Sequence, residues 1–253
     1  MRIKVDFVAE DGIPYGGTRK HDVQAFIYSL LMGTEYDRLH DGRGFKFFTF
    51  SNFFPGIDVR PGDRKSFVIS SPDEGFIETL YEKLLPVERF YIGGKPLRIE
   101  AVKKFRLRPT GRFITGSPVV VRSITGRGFF TFHHENSLDH FIRAITENAV
   151  AKYTAFTGEP FQLDGPIFER MVPYVRKKGW IDVYVRVNIR GRYFDVPGSN
   201  WKLLQARITP DNRDFYAFLM DAGLGILNSL GFGFINPIKP GNRGRTKDRA
   251  FKV

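Results

Sequence analysis

Cysteine is absent from all 253 residues. Disulfides, thiolate zinc sites and cysteine nucleophiles are therefore excluded, and five histidines remain as the only soft ligands. They fall into no His-Glu-x-x-His or comparable ligand spacing, so neither a metal nor another cofactor is expected. There is no run of about 18 or more apolar residues, which argues against a membrane-spanning helix or a membrane partner. The N-terminal MRIKVDFVAEDG alternates like a strand where a secretory leader would carry an apolar block, and a cytoplasmic location is expected. Acidic side chains are in deficit, 27 Asp and Glu against 39 Lys and Arg, a formal net charge of +12. That excess favours a polyanionic partner without naming it.

What is present builds a core. Hydrophobic residues make up 42% of the chain, enough for one large domain or two small ones. Residues 2–9 read as a strand, and Lys20 to Met32 as a helix with Val23, Phe26, Ile27, Leu30 and Leu31 on one stripe. FKFFTFSNF and KSFVIS are strand-like. PDEGFIETLYEKLL opens with Pro and acids and spaces Phe76, Leu80 and Leu84 by four, and KPLRIEAVKKFRL is a further strand. The order β-α-β-β-α-β is that of a ferredoxin-like unit, an antiparallel sheet with two helices on one face.

The Gly/Pro-rich RPTGRFITGSP, residues 108–118, reads as a link to a second such unit. There VVVRSIT and FFTFHH flank Gly126-Arg127-Gly128 as an expected hairpin, and SLDHFIRAITENAVAKYTAF reads as a helix. VPYVRKK and IDVYVRVNI read as a basic ribbon, WKLLQARI as a strand. Thr209-Pro210 looks like a cap and first turn opening a helix through Ala222, and FGFINPI closes the unit. The fold class expected is α+β: tandem ferredoxin-like domains at 1–110 and 117–240, with a basic tail at 241–253.

The stretch DAGLGILNSLGFGFI sets Gly223, Gly225, Gly231 and Gly233 around Asn228-Ser229. Helix capping accounts for one such glycine; four invite the reading that bare backbone is left open to something bulky and negative. With its GxG, Asn-Ser and GFG after a C-terminal helix, the stretch resembles the glycine-rich loop of the CRISPR RAMP proteins, and specifically of the sixth Cas family, the endoribonucleases that process CRISPR transcripts. HDVQAFIYSLL followed by LHDGRGFKFFTFSNF is similar to that family's first helix, catalytic loop and second strand. Ile226-Leu227 depart from the pattern, since the family often carries polar or basic residues there.

The resemblance implies metal-independent cleavage of single-stranded CRISPR repeat RNA, with His40 as base or acid, Tyr28 as its hydroxyl partner and Lys46 as the phosphate-neutralising cation. Tyr28 lies roughly 130° from the centre of the apolar stripe, so it can face the helix flank. Blander roles compete: a solvated loop histidine, a half-buried helix tyrosine, an edge-protecting lysine. His21, His133, His134 and His140 form no base–nucleophile pattern and read as structural or contact residues. For RNA binding the stretch points to Gly223, Gly225, Asn228, Ser229, Gly231 and Gly233, and the basic ribbon to Arg176, Lys177, Lys178, Arg186, Arg190 and Arg192, whose other reading is a solvated strand face. A repeat-RNA binder with little or no cleavage and a structural RAMP subunit of an interference complex remain open alternatives, as do homodimerisation and docking on such a complex.

Overall fold

The computed structural model describes residues 1–13, 20–42, 44–56, 58–189, 191–238 and 251–252, without the side chains of Lys177, Ile189, Phe251 and Lys252. The first sheet is antiparallel throughout. It contains β1 (Arg2–Ala9), β2 (Thr49–Phe50), β3 (Arg64–Ser70), β4 (Arg89–Ile92) and β5 (Lys95–Phe105) in the order β2-β3-β1-β5-β4. On the central strand Ile3, Val5, Phe7 and Ala9 all turn inward, as a period of two requires. Helices α1 (Lys20–Leu31) and α2 (Glu74–Leu84) bring Val23, Ile27, Leu31, Phe76, Leu80 and Leu84 into the same core. Asp73 caps α2 by accepting from the Phe76 amide at 3.0 Å.

Two features of this unit differ from the expectation. The strand expected across residues 45–53 shrinks to Thr49–Phe50, because Phe47 takes φ 48° and breaks the extended run. A strand that went unread, β4, alternates exposed and buried residues and turns into β5 through Gly93 and Gly94, both at positive φ.

The second sheet contains β6 (Arg112–Thr115), β7 (Arg170–Pro173), β10 (Trp201–Gln205), β11 (Ile235–Pro237) and β12 (Phe251–Lys252), in the order β11-β6-β10-β7-β12. It packs with α3 (Leu138–Thr157) and α4 (Arg213–Ala222) around Phe113, Phe141, Ile145, Trp201, Phe215 and Leu219. The strands β8 (Asp182–Ile189) and β9 (Arg192–Ser199) form a two-stranded ribbon, whose last residue, Ser199, also bridges Val119. The unit thus opens on β6, inside the segment expected to be a linker, because Phe113 is needed in the core. The expected hairpin around residues 126–128 is reduced to an isolated bridge, Arg122 to Phe129. The ribbon is β8–β9, while the VPYVRKK segment enters the main sheet as β7 and then leaves it. Helix α4 begins at Arg213, since Asn212 Oδ1 accepts from the Thr209 amide at 2.8 Å and closes a turn ahead of it. Apart from Phe251–Lys252, the expected tail at 241–253 lies outside the described residues.

One fully buried side chain ties the sheets together. Arg2 of β1 donates to Asp221 at the end of α4 (2.9 Å), to the Met220 and Ile235 carbonyls (2.7 and 3.0 Å) and to Asn236 Oδ1 (2.5 Å). Its guanidinium also lies 4.9 Å from the centre of the Phe234 ring.

Candidate functional site

Helix α1 turns its apolar stripe to the sheet, which leaves Gln24 and Tyr28, four residues apart, on one flank. That flank meets the glycine-rich stretch at its 3-10 turn, Asn228–Leu230. Gln24 Nε2 donates to the Ser229 carbonyl at 3.0 Å. Burial raises the Tyr28 phenol above its ordinary value, and a hydrogen bond with the Ser229 side chain opposes part of the rise. Tyr28 therefore stays protonated and can act as a donor.

His40 follows the 3-10 turn Asp37–Leu39 and is 66% exposed. Its ring meets that of Tyr28 edge to face, centroids 5.1 Å apart at 90°. His40 Nδ1 lies 3.2 Å from Asp41 Oδ1. Lys46 reaches back across the loop and donates to the carbonyls of Leu39 and Gly42, on either side of His40. Thus Tyr28 of α1 is brought to one surface with His40 and Lys46, which share the loop before β2. Arg43, in the same loop, lies outside the described residues.

The glycines belong to the interior. Gly223, Gly225, Gly231 and Gly233 are all buried, with φ between 70° and 89°. The amides of Gly223, Gly231 and Gly233 donate to Leu219, Asn228 and Pro118 carbonyls, so they are not available to an outside anion as the sequence reading expected. What the glycines supply is close approach. A Cβ on Gly231 would lie 2.2 Å from the Phe50 ring, and one on Gly233 would lie 1.9 Å from the Leu224 carbonyl oxygen. Asn228 is likewise turned inward, donating to the Leu224 and Phe232 carbonyls. Ile226 and Leu227, where polar residues were expected by resemblance, pack against a small apolar cluster with Val120 and Val187. Gly233→Ala is expected to destabilise the fold by about 1–3 kcal/mol. Gly158→Ala, at the left-handed end of α3 where a Cβ meets nothing, should cost less, about 1 kcal/mol, since it carries the left-handed strain without the clash. Denaturant midpoints of the two variants compare the effects; equal losses would remove close packing as the cause.

Two buried lysines hold this stretch, and sequence reading missed both. Lys152 of α3 donates to the Gly223 and Gly225 carbonyls and to Asn228 Oδ1. Lys20 of α1 donates to the Gly231 carbonyl and Asn52 Oδ1, with the Phe50 and Phe232 rings 5.5 and 4.9 Å away. Burial pushes each ammonium down to about 7, while the oxygens around them favour the charged form. A signal existed: Lys152 continues the stripe Phe141, Ile145, Ala149, and Lys20 precedes Val23 by three, so each is a cation in apolar register.

A cleft of about 590 Å³ separates the α1 side of the first unit from the ribbon, lined by Lys20, Asn52, Arg176, Tyr184, Arg186 and Asn200 among others. The ribbon's cations divide. Arg176 and Lys178 are exposed, and Lys177 lies in a 3-10 turn. Arg186 makes a two-pronged pair with Asp195 at 2.9 and 3.1 Å, which offsets its charge. Arg192 pairs in register with Ile189 whereas Arg186 pairs with Asp195, which sets the two arginines on opposite faces instead of one basic face. Arg190 lies outside the described residues.

A family model described as "CRISPR associated protein Cas6, C-terminal" matches residues 99–237. The chain is 43% identical over 242 residues to the "CRISPR-associated endoribonuclease Cas6 2" of Methanocaldococcus jannaschii, covering 94% of this chain and 100% of that protein. A solved structure described as "CRISPR associated protein Cas6" is similar with a TM-score of 0.67 and 24% identity, covering 94% of this chain and 99% of its own. Another, "An RAMP protein binding different RNA substrates", gives a TM-score of 0.67 at 21% identity, covering 94% and 100%. At those identities the two structures bear on the fold, the tandem ferredoxin-like arrangement of antiparallel sheets.

Proposed function

Because the chain belongs to the Cas6 family of CRISPR-associated proteins, we propose that it is an endoribonuclease that cuts CRISPR repeat RNA without a divalent metal. In the reaction a ribose 2′-hydroxyl attacks the adjacent phosphorus. The O2′–P bond forms, the P–O5′ bond breaks, and the products are a 2′,3′-cyclic phosphate and a 5′-hydroxyl. A base must take the 2′ proton, and an acid must protonate the departing 5′ oxygen. The observation that carries this reading is the cluster itself: an exposed imidazole in edge contact with a protonated phenol, its loop bridged by an ammonium.

His40 is the proton-transfer group, since an imidazole can both take and give a proton and this one stands open to substrate. Tyr28, kept protonated by burial, donates a hydrogen bond to the reacting phosphate or its leaving oxygen. The Lys46 ammonium has three donors, two of which meet loop carbonyls, and the third serves to offset the charge that grows on the phosphoryl oxygens. Proton transfer of this kind contributes about 10²- to 10⁴-fold, so holding the ribose in line supplies much of the remaining acceleration. The +12 chain and the cleft beside α1 suit a single RNA strand. A solved structural neighbour is itself described as binding different RNA substrates.

Labelled repeat RNA incubated with the protein in EDTA should be cut, and a 2′-deoxy sugar at the scissile nucleotide should abolish cutting. Cleavage that requires added magnesium, or that survives the deoxy substitution, would overturn the mechanism. Binding without any cutting would favour the family member that only holds RNA.

A further inference from the structure

Outside the cluster already described, an exposed aromatic residue in a defined stack is Trp180, just before β8. Its indole stacks on the His133 imidazole, ring centroids 4.5 Å apart and planes within 14° of parallel. The indole remains 41% exposed. The pair lines a cavity of about 330 Å³ together with Phe132, Asn136, Lys178 and Asp182, toward the small end of the range for small-molecule sites.

The platform is fixed before any ligand arrives. Asp182 is buried, and its two carboxylate oxygens accept from the Phe132 and His133 amides at 2.9 and 2.8 Å, joining the segment before α3 to the start of β8. On the other side the Arg176 amide donates to the Trp180 carbonyl at 2.7 Å and closes the 3-10 turn that carries Lys178. The five residues from Arg176 to Trp180 therefore line the large cleft through Arg176 and this cavity through Lys178 and Trp180. A flat aromatic surface flanked by an exposed ammonium matches a nucleotide, whose base has a π face and whose phosphate is an anion. The setting suits an unpaired base: a cavity of this size takes one ring system and not a duplex. A protein partner would instead want a contiguous apolar patch, and the exposed neighbours here are mainly cations and polar groups.

We infer that the Trp180–His133 stack is a base-stacking platform for an unpaired nucleotide of the bound RNA, outside the Tyr28–His40–Lys46 cluster. This rests on the RNA-cleavage reading above and extends it to a second contact. Stacking of this kind is sequence-tolerant, so the platform adds affinity for single-stranded RNA more than selectivity for one base.

The chain's two tryptophans make the test direct. Trp201 is fully buried, so a change of emission on adding RNA belongs to Trp180. The probe is repeat RNA with a 2′-deoxyribose at the cut position mapped in the cleavage assay, its binding followed in parallel by anisotropy. Emission should fall as the RNA saturates, and Trp180→Phe should abolish the signal while keeping most of the affinity. Trp180→Ala should raise Kd by about 5- to 150-fold. RNA that binds with unchanged emission, or binds Trp180→Ala as tightly as the parent, overturns the platform and leaves the cleavage reading intact. A parent protein that binds no repeat RNA overturns both. His40→Ala should lose cutting and keep the Trp180 signal, which separates the two sites.

Discussion

His40→Ala is expected to slow cleavage of repeat RNA by about 10²- to 10⁴-fold and to leave Kd for that RNA nearly unchanged. The imidazole is 66% exposed, and its polar contact is with Asp41 at 3.2 Å, itself on the surface, so its removal should cost the fold little. Its loss takes the imidazole out of the cluster, and the Tyr28 phenol, held protonated by burial, does not readily replace it as a base. Single-turnover rates at saturating protein, measured beside binding curves, separate the two effects. Equal rates would remove His40 from the reaction, and a loss confined to Kd would make it an RNA contact instead. Lys46→Ala should be less clean, because the same ammonium braces the loop at Leu39 and Gly42.

Asp221→Ala should destabilise the protein by about 3–5 kcal/mol, the usual result of stripping the partner from a buried charge. The Arg2 side chain has no exposed surface, and burial lowers its guanidinium pKa while Asp221 pulls it back up. The same carboxylate takes the N-terminal ammonium at 2.7 Å, so one truncation leaves two cations without their anion. For a chain of this length that loss corresponds to a fall in Tm of about 6–20 °C. Asp221→Asn, which keeps the shape and one acceptor oxygen, should fall between the parent and the alanine variant. A loss under about 1 kcal/mol, the level of an exposed pair, would show that water reaches Arg2 and that the sheets are not fastened at this point.

Much of the architecture was legible because it is local. The alternation in β1, the apolar stripes of α1 and α2 and the existence of α3 are each set by neighbours a few residues away. Where reading failed, a distant partner had intervened. Phe113 turned an expected linker into β6 because the second core needed its ring. Sequence alone could list the cations of the ribbon, but Arg186 found Asp195 across the hairpin while Arg176 faced the cleft. The loop from His40 to Lys46 was marked by its resemblance to the family's catalytic loop and not by periodicity. The contact of Tyr28 with it was implied by resemblance and geometrically possible, and the measured ring contact is a property of the packed chain.

By itself, then, the sequence determined the pattern of strands and helices, the positive charge and the residues able to move a proton, since periodicity, composition and side-chain chemistry are carried by the chain wherever it lies. The tertiary structure alone decided what the four glycines and the buried cations do. Gly231 and Gly233 are packed against Phe50 and Leu224, and Gly223 and Gly225 against Asn228 and Val120; Lys20, Lys152 and Arg2 meet oxygens contributed from 32 to 234 positions away. A glycine is indifferent to what comes near it, and an ammonium takes whatever oxygen replaces its water, so both acquire their roles only when folding brings remote backbone within reach.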